Sequence, residues 1–148
     1  MDALERLVAT EEIRVLSARY AMSIDDHDWT LFETLWTEDA VWWAGEDKFE
    51  GRAAIVEFLE NCLVDDYYGK HINGQSIIEL AEDGQSATSL TDVLWLAQNF
   101  EVQVMARYLD LIVRQDGKWL FKQREEVPVP HRPGPVLTGS MAVAMREG

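Results

Sequence analysis

The sequence predicts an α+β fold, a helical layer followed by a sheet, and three observations carry that prediction. Residues 1–66 hold 17 Asp and Glu against 5 Lys and Arg, and their apolar residues recur at helical spacing. From about His71 the period changes to that of strands, and residues 67–148 are nearly balanced, with 10 acids and 8 bases. Two Asp-Gly pairs, Asp83-Gly84 and Asp116-Gly117, stand between apolar runs where hairpin turns belong. Helices grouped ahead of strands, rather than alternating with them, mean α+β and not a β-α-β sheet.

The first helix is expected from about Ala3 to about Ile24. Asp2 and Glu5 have the spacing of a capping box, and Ile13, Leu16, Tyr20 and Ile24 mark one apolar face. The cluster Asp25-Asp26-His27-Asp28 breaks the pattern, and Asp28 suits the N-cap of a short helix containing Leu31, Phe32 and Leu35. Ala40 to Trp43 reads as a short strand. Gly51 precedes a third helix with Ile55, Phe58, Leu59 and Cys62 as its stripe. Gln75 to Leu80, Ser86 to Gln98, Glu101 to Arg114 and Lys118 to Val127 read as strands. Within Val102 to Arg114 both alternating sets are apolar, so that strand is expected to be covered on both faces, by helices or a pocket on one and by a second subunit on the other. Residues 1–127 are expected to form a single domain. Residues 128–148 form a Pro-rich extension holding Pro128, Pro130, Pro133 and Pro135, and its apolar end, Met141 to Met145, is a candidate to dock on the body or on a neighbour.

The length of 148 residues suits one domain, and 47% hydrophobic residues can build its core. A net charge of −14 argues against nucleic-acid and anionic-membrane partners, which need a basic surface. No apolar run is long enough to cross a bilayer, and MDALERLVATEE lacks the basic-then-apolar order of a signal peptide. The expected compartment is the cytoplasm. Cys62 is the only cysteine, which excludes an internal disulfide. Its place on a helix stripe makes it a buried small hydrophobe in expectation.

Phosphate-binding Gly loops, a Gly-x-Ser-x-Gly elbow and His-Glu-x-x-His are all absent from the sequence. His27, in the acidic turn, and His131, in the Pro-rich tail, are expected to be exposed or structural. Asp25, Asp26, His27 and Asp28 are consecutive in a turn and point in different directions, so neither a metal nor another cofactor is expected. His71 alone would be an ordinary residue at a strand start. What singles it out is a possible pairing with Asp25. That acid directly follows the buried stripe of Tyr20 and Ile24, at a helix C-terminus where a carboxylate is unfavourable without a partner. Asp26 and Asp28 fit the plainer description of solvated acids. Six Trp are many for this length, and large aromatics wall pockets as well as cores.

The run Ile13 to Asp25, then Asp28-Trp29 and Leu35-Trp36-Thr37-Glu38-Asp39-Ala40, resembles the SnoaL-like branch of the NTF2-like superfamily. Gly51-Arg52-Ala53-Ala54-Ile55, Arg107-Tyr108-Leu109-Asp110 and Arg114-Gln115-Asp116-Gly117-Lys118-Trp119 agree with it, so the resemblance spans roughly residues 10–127. It implies a cone in which a curved mixed sheet wraps against about three N-terminal helices around a pocket. Within the superfamily the chain looks closest to the lyases with an Asp–His dyad: hexachlorocyclohexane dehydrochlorinase, scytalone dehydratase and bile-acid 7α-dehydratase. The resemblance places the dyad at Asp25 and His71, an active-site tyrosine at Tyr20, an active-site arginine at Arg124 and a pocket tryptophan at Trp42. Trp43 and Trp95 are further candidate walls. Asp110 falls near the second oxyanion-hole acid of the ketosteroid isomerases, whose general-base position falls near Ala44.

The expected function is a cofactor-independent lyase acting on a small hydrophobic, ring-containing substrate. His71 would be the base, Asp25 its orienting partner, and Tyr20 and Arg124 the donors to a leaving group or oxyanion. An isomerase or polyketide-type cyclase using Tyr20 with Asp110 or Asp25, and a non-catalytic assembly subunit with a filled interior, are the alternatives. A homo-oligomer is expected; the resemblance leans to a trimer, with a dimer as the other choice.

Overall fold

The structure is a computed structural model that describes residues 1–63 and 68–129. His131 and the docking expected of Met141 to Met145 lie outside the described residues. Three helices and six strands follow one another as α1 (Ala3–Asp25), α2 (Trp29–Glu33), β1 (Trp36–Ala44), β2 (Asp47–Glu50), α3 (Arg52–Cys62), β3 (Gly69–Leu80), β4 (Ser86–Ala97), β5 (Val102–Gln115) and β6 (Lys118–Pro128). The strands make one sheet in the order β2-β1-β6-β5-β4-β3. All neighbours are antiparallel except β1 and β6, which run parallel. This is the expected α+β arrangement with a mixed sheet.

Local chemistry accounts for the helices. Asp2 and Glu5 close the capping box on α1, with Glu5 N donating to Asp2 Oδ1 at 2.8 Å and Asp2 N to Glu5 Oε2 at 2.7 Å. Asp28 caps α2 by accepting from Leu31 N at 2.9 Å. The buried side of α1, with Ile13, Leu16, Tyr20 and Ile24, lies against one face of the sheet and joins a core containing Phe32, Trp36, Trp42, Ile55, Tyr108, Ile112 and Phe121.

Five details depart from the sequence reading. β1 starts at Trp36, before the expected Ala40, and β2 was not anticipated because its four residues, Asp-Lys-Phe-Glu, are mostly polar. β3 starts at Gly69 rather than Gln75. A register shift between Asn73 and Ser76 interrupts its alternation and hid the first half. Pro128 closes β6, opposite Ala106, instead of opening the extension. Cys62 is exposed: Ile55 and Leu59 take the buried positions of α3 and Leu63 the next partly buried one, leaving Cys62 on the solvent side of the last turn.

A second irregularity, in β6, matters more for function. Ile112 pairs with Phe121 but Leu111 pairs with Gln123, so Lys122 is an extra residue. Such a bulge reverses which face the following residues present. Phe121 and Arg124 therefore both point inward, although three residues apart, and the guanidinium carbon of Arg124 sits 4.3 Å from the Phe121 ring centre. Lys122 turns out and pairs with Asp39. On the outer face of β3, Ile72 and Ile77 are exposed. Among the described residues no helix is long and apolar enough to cross a membrane.

Gly69 opens β3 where the backbone passes against Trp95. A Cβ there would stand 2.2 Å from the Trp95 ring and 2.5 Å from the Leu96 carbonyl oxygen. Gly69→Ala is expected to push the start of β3 away and cost about 1–3 kcal/mol, as overpacking does, measured by urea denaturation. An unchanged midpoint would show that the strand start yields without strain.

Candidate functional site

The site is built where α1 ends against β3. Helix α1 stops at Asp25, capped by Asp26 N–H donating to Met22 O at 2.9 Å, and His27 follows with φ of 54°, a left-handed residue that turns the chain away. The carboxylate of Asp25 is thereby left facing β3. It accepts the backbone N–H of His71 at 3.1 Å on each oxygen, and Oδ1 lies 2.6 Å from His71 Nδ1. Both side chains are nearly buried, at 4% and 9% exposure. Lys70 Nζ reaches Asp25 Oδ2 at 3.6 Å and Asp26 at 3.2 Å from the solvent side, which holds its own pKa above the ordinary value through the Asp26 contact first. An acid at a helix C-terminus is thus compensated by a strand amide, an imidazole and an ammonium group. With Nδ1 against the carboxylate, the neutral ring keeps its proton on Nδ1 and presents Nε2 as the acceptor. No described residue hydrogen-bonds Nε2.

Tyr20, one turn before Ile24 on α1, meets the His71 ring edge-on at 6.1 Å between centroids. Arg124 and Asp110 lie beneath it, 1% and 0% exposed. Arg124 donates from Nε to Asp110 Oδ1 at 2.7 Å and from Nη2 to Oδ2 at 2.9 Å. Ser89 Oγ donates to Oδ2 at 2.9 Å. The guanidinium is flanked by the rings of Tyr20 and Tyr108, each 4.0 Å away. Burial opposes the charge on Arg124, but Asp110 outweighs it and holds the pKa above the ordinary arginine value. Burial raises Tyr20 despite the opposing charge of Arg124. Tyr108 is raised further, by burial and then by Tyr20 and Glu126. Both phenols are therefore protonated donors at neutral pH.

The structure brings Asp25, His71, Tyr20, Arg124 and Trp42 to one face. Trp42 is 3% exposed and pairs in register with Arg124, and its indole N–H has no hydrogen-bond partner among the described residues; neither does Arg124 Nη1. Trp95 pairs with His71 across β3 and β4 and shares its face. Two expected residues are placed differently. Trp43 follows Trp42 in a strand, so it points to the opposite face, where Lys48 Nζ lies 5.1 Å from its ring. Asp110 was expected to touch substrate, but both of its oxygens are committed to Arg124 and Ser89; its work is to fix the arginine.

Two further residues of this face were missed in the sequence. Tyr108 is inward because Asp110 is, two positions along β5, and Glu126 is inward because Arg124 is, two positions along β6. Burial raises the Glu126 carboxyl above the ordinary glutamate value, against the opposing charges of Arg124 and His71. The alternation about Arg124 was the available signal. Among the described residues no group of three His, Cys, Asp or Glu stands close enough to hold a metal ion.

The SnoaL-like domain model matches residues 5–125. No curated protein sequence matches the chain. Among solved structures, an NTF2-like protein with a cystatin-like fold from Novosphingobium aromaticivorans superimposes with a TM-score of 0.77 at 25% identity, covering 88% of each chain. A putative scytalone dehydratase from the same species gives 0.77 at 22% identity, over 87% of this chain and 89% of that one. A hexachlorocyclohexane dehydrochlorinase of type 2 gives 0.74 at 20% identity, over 92% of this chain and all of that one. The fold is accordingly NTF2-like, or cystatin-like.

Because Arg124 is buried and its charge is balanced by Asp110, Asp110→Ala strands a cation in the interior. The expected loss is about 3–5 kcal/mol in chemical denaturation. The double replacement Asp110→Leu with Arg124→Met removes both charges and should lose much less. Equal losses from the single and the double change would contradict the pairing.

Proposed function

This chain belongs to the SnoaL-like family, and we propose that it is a cofactor-independent lyase using Asp25 and His71 as a general-base dyad on a small hydrophobic, ring-containing substrate. The observation that carries this reading is the 2.6 Å contact between Asp25 Oδ1 and His71 Nδ1 in a ring whose Nε2 is left free. His71 Nε2 withdraws a proton from the substrate. Asp25 keeps the ring in the productive tautomer and stabilises the imidazolium as it forms, the role of the acid in a Ser-His-Asp triad.

Charge that develops elsewhere on the substrate needs donors already in place. Tyr20 and Arg124 supply them, and the unpartnered Arg124 Nη1 and Trp42 Nε1 are the free N–H groups of that set. Trp42 and Trp95, on the same face, give the substrate apolar contact. Fold relatives described as a putative dehydratase and a dehydrochlorinase are in keeping with elimination chemistry. The isomerase reading through Asp110 needs it as a free acid, and its bonds to Arg124 and Ser89 speak against that form of it.

His71→Ala is expected to lower kcat/KM for a turned-over cyclic substrate by at least about 10²-fold, the lower end for general-base catalysis. Asp25→Asn should lower it comparably, because an amide can stabilise the wrong tautomer while occupying the same space. Turnover near wild type in both, with folding intact by circular dichroism, would end the dyad reading.

A further inference from the structure

Helix α1 is apolar on two opposite sides. Its inner side, with Ile13, Leu16, Tyr20 and Ile24, is buried in the core. Its outer side carries Val8, Val15 and Met22 at 49%, 41% and 61% exposure. These three recur every seven residues, close to two full turns, so they lie in one line along the helix. Leu4 and Ala18 fall on the same line, and both are exposed. Single exposed aliphatic residues are ordinary on a surface, but a line of them opposite a buried face is a patch that calls for a partner. Glu11 also falls on the line, and Arg14 at 3.4 Å draws its carboxylate to one flank. On the other flank stand Glu12 and Arg19, both exposed. Neither makes an ion pair or a side-chain hydrogen bond with any described residue. They are about 10 Å apart along the axis, too far to meet each other. Beside that flank, between α1 and the start of β6, runs a cavity of about 510 Å³ lined by Val8, Glu12, Val15, Arg19, Leu35 and Trp119.

We propose that the outer side of α1 is the contact between two copies of this chain, packed antiparallel about a two-fold axis beside Val15. Val15 then meets Val15 of the second copy, and Val8 meets its Met22, each seven residues from the axis. Glu12 comes level, within one residue's rise of about 1.5 Å, with Arg19 of the second copy on the same flank. The symmetry repeats that pair on the other half of the contact. Both charges left alone in one copy are thus answered by the other. A parallel arrangement would instead set Glu12 against Glu12 and Arg19 against Arg19, and like charges face to face oppose association. This self-complementarity is what singles out a second copy as the occupant: one two-fold operation aligns the apolar positions and pairs the charges. The cavity along the flank leaves room for the long side chains of Glu12 and Arg19 beside the packed helices. The contact does not depend on the dyad reading.

The test is sedimentation equilibrium of the full chain across a range of concentrations, with circular dichroism to confirm the folding of each variant. Wild type is expected to associate, and Val15→Glu, which sets two like charges at the axis, to remove that association. Glu12→Arg and Arg19→Glu should each raise the dissociation constant about 10-fold, since each turns two attractions into two repulsions. The double variant Glu12→Arg with Arg19→Glu should return it to within about 3-fold of wild type, because the reversed charges pair again. Ile77→Glu, on the exposed outer face of the sheet, should leave it unchanged. Wild type that stays monomeric up to about 1 mM overturns the proposal, whether the outer side of α1 then takes another protein or residues 141–145 of its own chain. An assembly that Ile77→Glu breaks and Val15→Glu spares overturns it as well, and so does a double charge variant that associates no better than the single ones. Rescue by charge exchange separates pairing from damage to the fold, since a second reversal would not restore a chain that had lost its structure.

Discussion

The carboxylate of Asp25 joins the two halves of the molecule. Helix α1 ends in an acid where the helix field disfavours one, and that disadvantage is offset only because β3 begins at the same point. The amide and the imidazole of His71 both meet the carboxylate, and Lys70 closes it from outside. The contact therefore sets where the strand starts, which way the His71 ring lies and which ring nitrogen is free. A backbone bond holds the strand while a side-chain bond holds the tautomer, so the same residue serves fold and proposed chemistry at once.

Arg124 plays the matching part on the other side of the site. A buried guanidinium is costly unless it is paired and hydrogen-bonded, and here Asp110, two tyrosine rings and Phe121 meet it. It reaches that position only because Lys122 is an extra residue in β6. Without the bulge, Arg124 and Glu126 would face outward with Lys122's present neighbours. The site thus depends on one helix end and one strand irregularity.

Much of this was legible in the sequence, for identifiable reasons. The capping box, the stripe of α1 and the Asp-Gly turns are local signals, and local signals survive without tertiary information. Asp25 stood out because it continued an apolar face, and His71 because the period changes there. Faces of strands were harder. Trp42 and Trp43 are adjacent, so alternation allows only one of them inside, yet nothing local says which. Bulges in β3 and β6 then shift the phase, which hid the start of one strand and the inward turn of Glu126 in the other. Asp110 was expected to touch substrate, through the resemblance, but its commitment to Arg124 is a pairing between strands that no spacing reveals. Cys62 lay on an apparent stripe whose last turn runs past the core.

The central claim is that Asp25 holds the neutral His71 ring with its proton on Nδ1 and Nε2 bare. Nitrogen-15 NMR of the imidazole tests it most directly. The account predicts that, in the neutral ring, Nε2 resonates as the unprotonated nitrogen, and that Nδ1 carries a strongly deshielded proton which moves upfield or is lost in Asp25→Asn. A neutral ring protonated at Nε2, or a pattern indifferent to Asp25→Asn, would contradict it.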